Sequence, residues 1–284
     1  MIKDINIWED NTMGNLQVDC QINGQEVSID ELKLIRHERN NHVLHEMKDL
    51  GASVAGDNGE LSHSAIEQLS YASANKINIA TRGKYSPTEI ENLYQDKIEI
   101  AENMWRNICT DFDLKTSPVK ISQTYMKIEG VNPDLIINGN PSPAEKTSET
   151  PEEKMKRIAK EASATALEMH PEHFFVTTGP NGLYGMETFG MYGEPFPQLI
   201  TPGDPDQVPI DRDESYPVVS TGLPTLLDGT PLYTIPFHQY KPLENGIELK
   251  LAVVMPEATP DEIVSGHAIH LATEFLRTAE MNAQ

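Results

Sequence analysis

Apolar residues near the C-terminus alternate with other residues at a spacing of two. In GIELKLAVVM, Ile247, Leu249, Leu251, Val253 and Met255 lie on one side of an extended chain. This pattern is typical of a β-strand with one covered face. The strand therefore needs an apolar partner, and the segment that follows it is the natural candidate.

That segment, TPDEIVSGHAIHLATEF, predicts a helix. Thr259 supplies an N-cap hydroxyl, Pro260 occupies the first helical position, and Glu262 stands at N3. Together they form the sequence pattern of a capping box. We expect this helix to cover the apolar face of the preceding strand.

Three polar residues of this helix share its apolar stripe. At about 100° per residue, His267, His270 and Glu274 fall within about 60° of one another, on the side that carries Ile263 and Met281. A buried histidine or carboxylate must be paired, hydrogen-bonded or bound to a metal, because a bare one costs several kcal/mol. A polar partner is therefore expected across the fold.

The first half of the chain reads mainly as helices. Capping boxes that begin at Ser28 and at Ser86 predict helices to about Leu50 and Asp111, and a shorter helix is predicted at 62–75. Before them, NLQVDCQINGQEVSI predicts a hairpin that turns at Asn23-Gly24.

Residues 138–153, NGNPSPAEKTSETPEE, read as a linker because they contain almost no apolar residue. The prediction is a mainly helical domain with a small N-terminal hairpin at 1–137, and an α+β domain at 154–284. A helix at about 152–169 precedes the strands HFFVTT, GLYGMETFGMYG and TPLYTIPFHQY. A mostly antiparallel sheet curled around the long C-terminal helix is expected, a helix-grip-like arrangement with a cavity between sheet and helix.

Composition and charge narrow the function classes. The 284 residues include 44 acidic and 22 basic ones, and a net charge of −22 disfavours nucleic acid and anionic membranes as partners. No stretch approaches the ~20 apolar residues of a membrane span, and the N-terminus lacks signal-peptide features. A cytoplasmic location is expected. Cys20 and Cys109 lack CxxC spacing and are expected to be plain thiols.

His173 and Glu187 are the first candidates to face the helix stripe. If Pro180 to Gly182 form a three-residue hairpin loop, these two side chains share one face with Phe175 and Phe189, whereas a four-residue loop moves His173 away. His238 is a weaker candidate, because it alternates onto the face opposite Tyr233, Ile235 and Phe237.

Imidazoles combined with carboxylates suit Zn²⁺ or a similar divalent ion. The predicted ligands are His173, Glu187, His270 and Glu274, with His267 as a further ligand or a proton shuttle near neutral pH and Glu187 also in a catalytic role. The predicted pocket lining is Tyr184, Phe189, Tyr192 and Phe237. The alternative is that the histidines are satisfied core residues and Glu274 pairs with an arginine.

A rival cluster consists of His37, His42, His45 and Glu46. His37 and His45 fall opposite the apolar side of their predicted helix. A solvated helix face explains them.

The strand ENGIELKLAVVMP followed by GHAIHLATEF resembles the C-terminal end of the diacetylphloroglucinol and phloretin hydrolases. In that family the terminal helix carries a His-x-x-x-Glu zinc pair, which His270 and Glu274 match. The family's other two ligands would be His173 and Glu187. The resemblance covers about the last 45 residues and implies a helix-grip fold, zinc, and hydrolysis of a carbon–carbon bond beside an aromatic ketone.

The leading hypothesis is therefore a metal-dependent hydrolase or lyase acting on a small, partly apolar carbonyl compound. A second hypothesis is a metal-free protein that binds an apolar ligand in the same cavity. A third is an interaction protein whose acidic helical half docks a partner. The sequence leaves a homo-oligomer open.

Overall fold

The computed structural model describes residues 16–138, 150–179, 182–191 and 193–283. Within these ranges the fold is α+β, as predicted, with eight α-helices and a nine-stranded antiparallel sheet. None of these helices is long and apolar enough to cross a membrane.

The helices are α1 Ile29–Asp49, α2 His63–Ile66, α3 Tyr71–Arg82, α4 Pro87–Leu93, α5 Gln95–Ile108, α6 Pro133–Asn138, α7 Pro151–Met169 and α8 Asp261–Met281. The strands are β1 Gln17–Ile22, β2 Gln25–Glu26, β3 Ala55–Gly56, β4 Gly59–Glu60, β5 Val119–Glu129, β6 His173–Gly179, β7 Gly182–Thr188, β8 Pro195–Pro202, β9 Val218–Thr225, β10 Ile235–Leu243 and β11 Gly246–Pro256. The main sheet has the order β2-β1-β5-β11-β10-β9-β8-β7-β6, and β3 pairs with β4 separately.

Most of the predicted helix caps and turns are present in the structure. Ser28, Ser86 and Thr150 each form a capping box with a glutamate three residues later, at the starts of α1, α4 and α7. Gly51 follows α1 with φ +93°, and Asn23-Gly24 turns between β1 and β2 with both φ angles positive. These residues end or reverse the chain where only a left-handed backbone fits.

Two predicted helices are each divided in two. The helix from Ser86 breaks at Tyr94, a fully buried residue whose ring lies 4.7 Å from that of Phe174. The short helix expected at 62–75 is replaced by α2 and α3, because Ser62 and Ser70 each cap a separate helix. Side-chain caps and tertiary packing therefore override the continuous periodicity.

The capping box predicted at Thr259 does not form. Helix α8 begins after Pro260 without a side-chain cap. Thr259 is fully buried, and its hydroxyl has no hydrogen-bond partner among the described residues. The Lys120 ammonium donates to the Thr259 carbonyl and pairs with Asp261, so β5 anchors this helix end.

Helix α8 covers the alternating face of β11, as predicted. The five alternating residues of β11 pack in one buried cluster with Ile263, Leu271, Phe275 and Leu276 of α8. Burial of this interface supplies much of the hydrophobic stabilisation, at about 25 cal/mol per Å² of apolar surface. It also fixes which side of α8 faces the sheet.

The sheet extends across the predicted domain boundary. Strands β1 and β5 precede residue 138, yet β5 pairs along its whole length with β11, at the other end of the chain. Within the predicted linker 138–153, residues 139–149 lie outside the described residues, and α7 begins at Pro151. Separation into two domains stays a prediction.

Candidate metal centre

A cavity of about 330 Å³ lies between α8 and strands β6 to β10. Its apolar lining comes mainly from the strands, and includes Val176, Met186, Phe189, Ile200 and Val253. The predicted stripe of α8 forms one wall, where His267, His270 and Glu274 reach the cavity. The polar partners expected across the fold should therefore lie on the opposite wall, which the strands form.

His173 and Glu187 face this stripe from the β6–β7 hairpin. They are partners in the sheet register, and a β-bulge between His173 and Phe175 brings them opposite each other. The hairpin closes at the pair Gly179 and Gly182, which corresponds to neither the three-residue nor the four-residue loop considered from the sequence. Residues 180–181 lie outside the described residues. Phe175 packs into a separate cluster with Tyr94 and Phe174.

The four predicted ligand side chains converge on one point. The Nε2 atom of His173 lies 3.1 Å from Nε2 of His270 and 3.4 Å from Oε2 of Glu187. The Nε2 atom of His270 lies 3.7 Å from Oε2 of Glu187 and 3.8 Å from Oε2 of Glu274. All four side chains are at most 20% exposed.

These separations fit a tetrahedral ion. Zinc–ligand bonds of about 2.0–2.2 Å at tetrahedral angles place neighbouring ligand atoms about 3.3–3.6 Å apart. The four distances, 3.1 to 3.8 Å, bracket that range. These four separations are therefore compatible with neighbouring ligands on one zinc ion.

The tautomer of His173 also suits an ion. Its Nδ1 lies 3.0 Å from the carbonyl oxygen of Ala166. A carbonyl only accepts, so Nδ1 carries a hydrogen, and once Nε2 releases the proton that it shares with Glu187 its lone pair faces the centre. A second hydrogen bond of this kind is the usual support of a metal-binding histidine.

His170 belongs to the same buried group, since ring nitrogens of His170, His173 and His270 lie close enough to hold a metal. However, both nitrogens of His170 have partners. Its Nδ1 accepts from the backbone N–H of Glu172 at 3.2 Å, and its Nε2 donates to the Thr273 hydroxyl at 2.9 Å. His170 therefore supports the centre by packing its ring 3.7 Å from that of His270.

The protonation states favour a cation at the centre. Burial lowers the pKa of His270, and neighbouring His267 and His173 lower it further. Burial is the largest single influence on His173 and Glu187 and favours their neutral forms. Their mutual hydrogen bond, their opposite charges and the neighbouring groups together outweigh it, so the pKa of His173 is raised and that of Glu187 is lowered. Burial raises the pKa of Glu274, and the Glu187 charge adds to this. A divalent ion would neutralise two carboxylates and stabilise both lone pairs.

Two buried arginines hold the chain around His173. Arg82 of α3 donates to the carbonyls of Leu167, at 2.7 Å, and His170, at 3.1 Å, and closely to that of His173. Arg36 of α1 donates to the last carbonyls of α7, those of Glu168 and Met169, at 2.7 Å each. Cations at a helix C-terminus also interact favourably with its dipole. Helices α1 and α3 thus position the segment that carries His173, and no local sequence pattern indicates this role.

His267 and His238 line the same cavity. Burial lowers the pKa of each to about 4, so both imidazoles are neutral at pH 7. His267 stacks on Phe189 with ring centroids 4.1 Å apart. A shuttle near neutral pH needs a pKa near 7, so the predicted shuttle role of His267 does not suit this environment.

His238 reaches the cavity because Phe237 and Ile235 point to the opposite side of β10, where they pack with Val208 and Val254. His238 alternates with Ile235 and Phe237 as predicted, but the side of β10 that carries His238 is the one that faces the cavity. Of the predicted lining residues, Phe189 lines the cavity, whereas Phe237 does not and Tyr184 hydrogen-bonds to Glu91. Tyr192 lies outside the described residues.

Six polar atoms around the cavity are buried without a hydrogen-bond partner among the described residues. They are Gln198 Oε1, Thr221 Oγ1, Thr234 Oγ1, His238 Nδ1, His267 Nδ1 and His270 Nδ1. Unpaired buried polar groups are uncommon, since each costs about 1–3 kcal/mol. Ordered water or the polar groups of a ligand would satisfy them.

The rival histidines of α1 do not line the cavity. His42 is exposed, and His37 and His45 are partly buried. Nδ1 of His45 lies 2.7 Å from Nδ1 of His63 in α2, a contact that no helix periodicity indicates.

The sequence matches no protein-family model and no curated protein.

Proposed function

We propose that the cavity is the active site of a zinc-dependent hydrolase or lyase, and that its substrate is a small, partly apolar carbonyl compound. The observation that carries the proposal is the convergence of His173, Glu187, His270 and Glu274 at the wall of a cavity. Buried carboxylates and imidazoles in that number are costly unless an ion or a ligand uses them. A cavity of about 330 Å³ accepts a molecule about the size of one substituted ring.

Zinc at this position would polarise a substrate carbonyl and make a water molecule more acidic. The chain's own groups do the rest. Glu187 is ionised at neutral pH because its pKa is lowered. Its Oε2 atom can therefore either bind the zinc or, with His173, His270 and Glu274 holding the ion, accept a proton from an attacking water. Gln198 holds the other carboxylate oxygen, Oε1, at 2.6 Å and fixes its direction.

The cavity walls suit an acyl-phenolic ketone. Phe189 and His267 form a stacked pair at one side, and Val176 and Ile200 contribute apolar surface. The unpaired Thr221, Thr234 and His238 atoms supply partners for ring hydroxyls. Hydrolysis would add the water oxygen to the acyl carbon and one water proton to the ring carbon as the C–C bond breaks. The other proton would be released to solvent, giving a carboxylate and a phenol.

A panel of acylated polyhydroxyaromatic ketones tests the reaction. Zinc-loaded protein should release a carboxylate and the free phenol from at least one member, and Glu187→Gln should abolish release while Gln198→Glu retains part of it. If no ketone gives product with protein shown to hold zinc, this reaction is excluded and the metal site stands.

The second candidate is a metal-free binding protein. The six unpaired polar atoms support it equally, because any ligand with hydroxyl or carbonyl groups would satisfy them. A small molecule that co-purifies with protein free of metal would favour it over the enzyme.

A further inference from the structure

Two histidines at the protein surface, outside the cavity, face each other with bare nitrogens. His45 of α1 and His63 of α2 approach through their Nδ1 atoms, which are 2.7 Å apart. The ring planes differ by only 11° and the ring centroids are 4.9 Å apart. The nitrogens are therefore the nearest parts of the two rings, and the rings meet edge to edge.

The outer nitrogens of both rings face carboxylates. Nε2 of His45 lies 2.7 Å from Glu67 Oε1, and Nε2 of His63 lies 3.2 Å from Asp49 Oδ1. An ionised carboxylate only accepts, so the hydrogen-bonded Nε2 of His45 carries its hydrogen and Nδ1 of His45 presents a lone pair. Asp49, at ion-pair distance from Nε2 of His63, favours the tautomer of His63 that also leaves its Nδ1 bare. In that tautomer two lone pairs face each other, and a cation between them would remove their repulsion.

A carboxylate behind each imidazole is the arrangement that supports metal-binding histidines elsewhere. It fixes the tautomer, orients the ring and makes the free nitrogen a better donor. Imidazole suits zinc, copper and nickel. The acidic surroundings, with a net charge of −22 on the chain, raise the local concentration of cations.

We propose that His45 and His63 form a second metal site, which binds one divalent transition-metal ion such as Zn²⁺ between their Nδ1 atoms. Two nitrogens on one tetrahedral zinc stand about 3.3–3.4 Å apart, so the pair must open from 2.7 Å by about 0.6 Å. His63 can move this far, because its side chain is 50% exposed and it belongs to a four-residue helix. Water completes the coordination through the same exposed side.

This site shares no residue with the cavity, so the inference does not rest on the proposed function. It joins the C-terminal part of α1 to α2, two helices that also pack against each other through Leu44 and Ile66. Zinc bound here would therefore link them and stabilise the fold.

Zinc titration with a competing chelator tests the site, using isothermal calorimetry on protein stripped of metal. We expect His45→Ala and His63→Ala each to bind one zinc fewer than the wild type. The control His37→Ala, on the same helix, should bind as many as the wild type. Glu67→Gln should weaken the surface site about 10- to 100-fold while keeping it.

Single variants distinguish the two zinc sites. His270→Ala should retain the surface zinc and lose the cavity zinc, whereas His63→Ala should do the reverse. If His63→Ala binds as many zinc ions as the wild type, the surface pair shares a proton and the proposal is overturned, whatever the cavity does.

Nuclear magnetic resonance of the histidine nitrogens gives an independent readout. Zinc should shift the Nδ1 resonances of His45 and His63 to metal-bound values while both Nε2 atoms keep their hydrogens. An Nδ1 proton that persists in excess zinc would contradict the site.

Discussion

Arg82 connects the helical half of the protein to the proposed metal centre, and its replacement should damage both. The guanidinium is 1% exposed and donates to the carbonyls of Leu167, His170 and His173. Burial lowers its pKa to about 9, so it remains charged at neutral pH. Arg82→Met keeps most of the volume and removes every donor.

The cost follows from the groups left behind. The carbonyls of Leu167 and His173 and the side-chain oxygen of Asn78 lose Arg82 as a donor, at about 1–3 kcal/mol each, or roughly 3–9 kcal/mol together. The His170 carbonyl keeps the backbone N–H of His173. Removing a buried charge relieves several kcal/mol of desolvation, which offsets part of this loss. We expect the free energy of unfolding to fall by about 3–5 kcal/mol, as when one partner of a buried ion pair is removed.

Urea denaturation followed by tryptophan fluorescence measures this change, because Trp105 is fully buried. The exposed Lys84→Met, two residues further along, is the matched control and should change stability by less than about 0.5 kcal/mol. Because Arg82 holds the carbonyl of His173, the variant that still folds should also bind zinc about 10- to 100-fold more weakly. An Arg82→Met protein within 1 kcal/mol of the wild type would refute the role assigned to this residue.

Two further predictions concern the packing around the cavity and the cysteines. Gly190→Ala should lower the free energy of unfolding by roughly 2–5 kcal/mol, because φ is +76° and a Cβ there would lie 2.4 Å from the Ile263 carbonyl oxygen. The control Gly229→Ala, with φ +88° and open space around it, should lower it by only about 1 kcal/mol. Equal losses in the thermal or urea melts of the two variants would contradict the clash. Burial raises the pKa of Cys20 to about 12 and of Cys109 to about 11, so native protein should react slowly with a thiol reagent at pH 8, where roughly one thiol in a thousand or fewer is ionised. Denatured protein should show both thiols at once, and rapid labelling of the native protein would show that the cysteines are accessible.

The parts of the fold that follow local rules could be predicted from the sequence. Capped helices and the alternation of β11 depend on neighbouring residues, and both are present in the structure. The side of α8 that carries His270 and Glu274 followed from helix geometry alone. Placing His173 opposite Glu187 depended on a hairpin register, which a β-bulge delivers.

Other strands lack such signals. In β5 the buried face begins with Ser122 and Thr124, so no apolar alternation marks it. Thr124 is satisfied by donating to the Ala268 carbonyl of α8 at 2.6 Å, a contact made across the fold. Strands β8 and β9 contain prolines, which usually mark loops or strand edges.

The arginines that support the site could not be predicted either, because their contacts also form across the fold. Arg36 and Arg82 act on carbonyls more than 80 residues away in the sequence, and no spacing rule connects such positions. His238 was the weaker candidate because its approach to the cavity depends on which face of β10 the sheet presents to α8. The positions of these side chains are therefore set by contacts between segments distant in the sequence, which local sequence patterns do not show.

The most direct test of the proposed centre is the metal content of purified protein, measured by elemental analysis. All variants carry His63→Ala, so that the surface pair contributes nothing. The parent should hold close to one zinc per chain, and His270→Ala and Glu274→Ala should each lose most of it. The double variant should be little worse than either single one, because the two losses are not independent. The control His37→Ala should keep its zinc. If the parent holds no metal after supplementation with zinc, manganese, iron and nickel, the four side chains are not ligands and the metal-free binding protein becomes the better account.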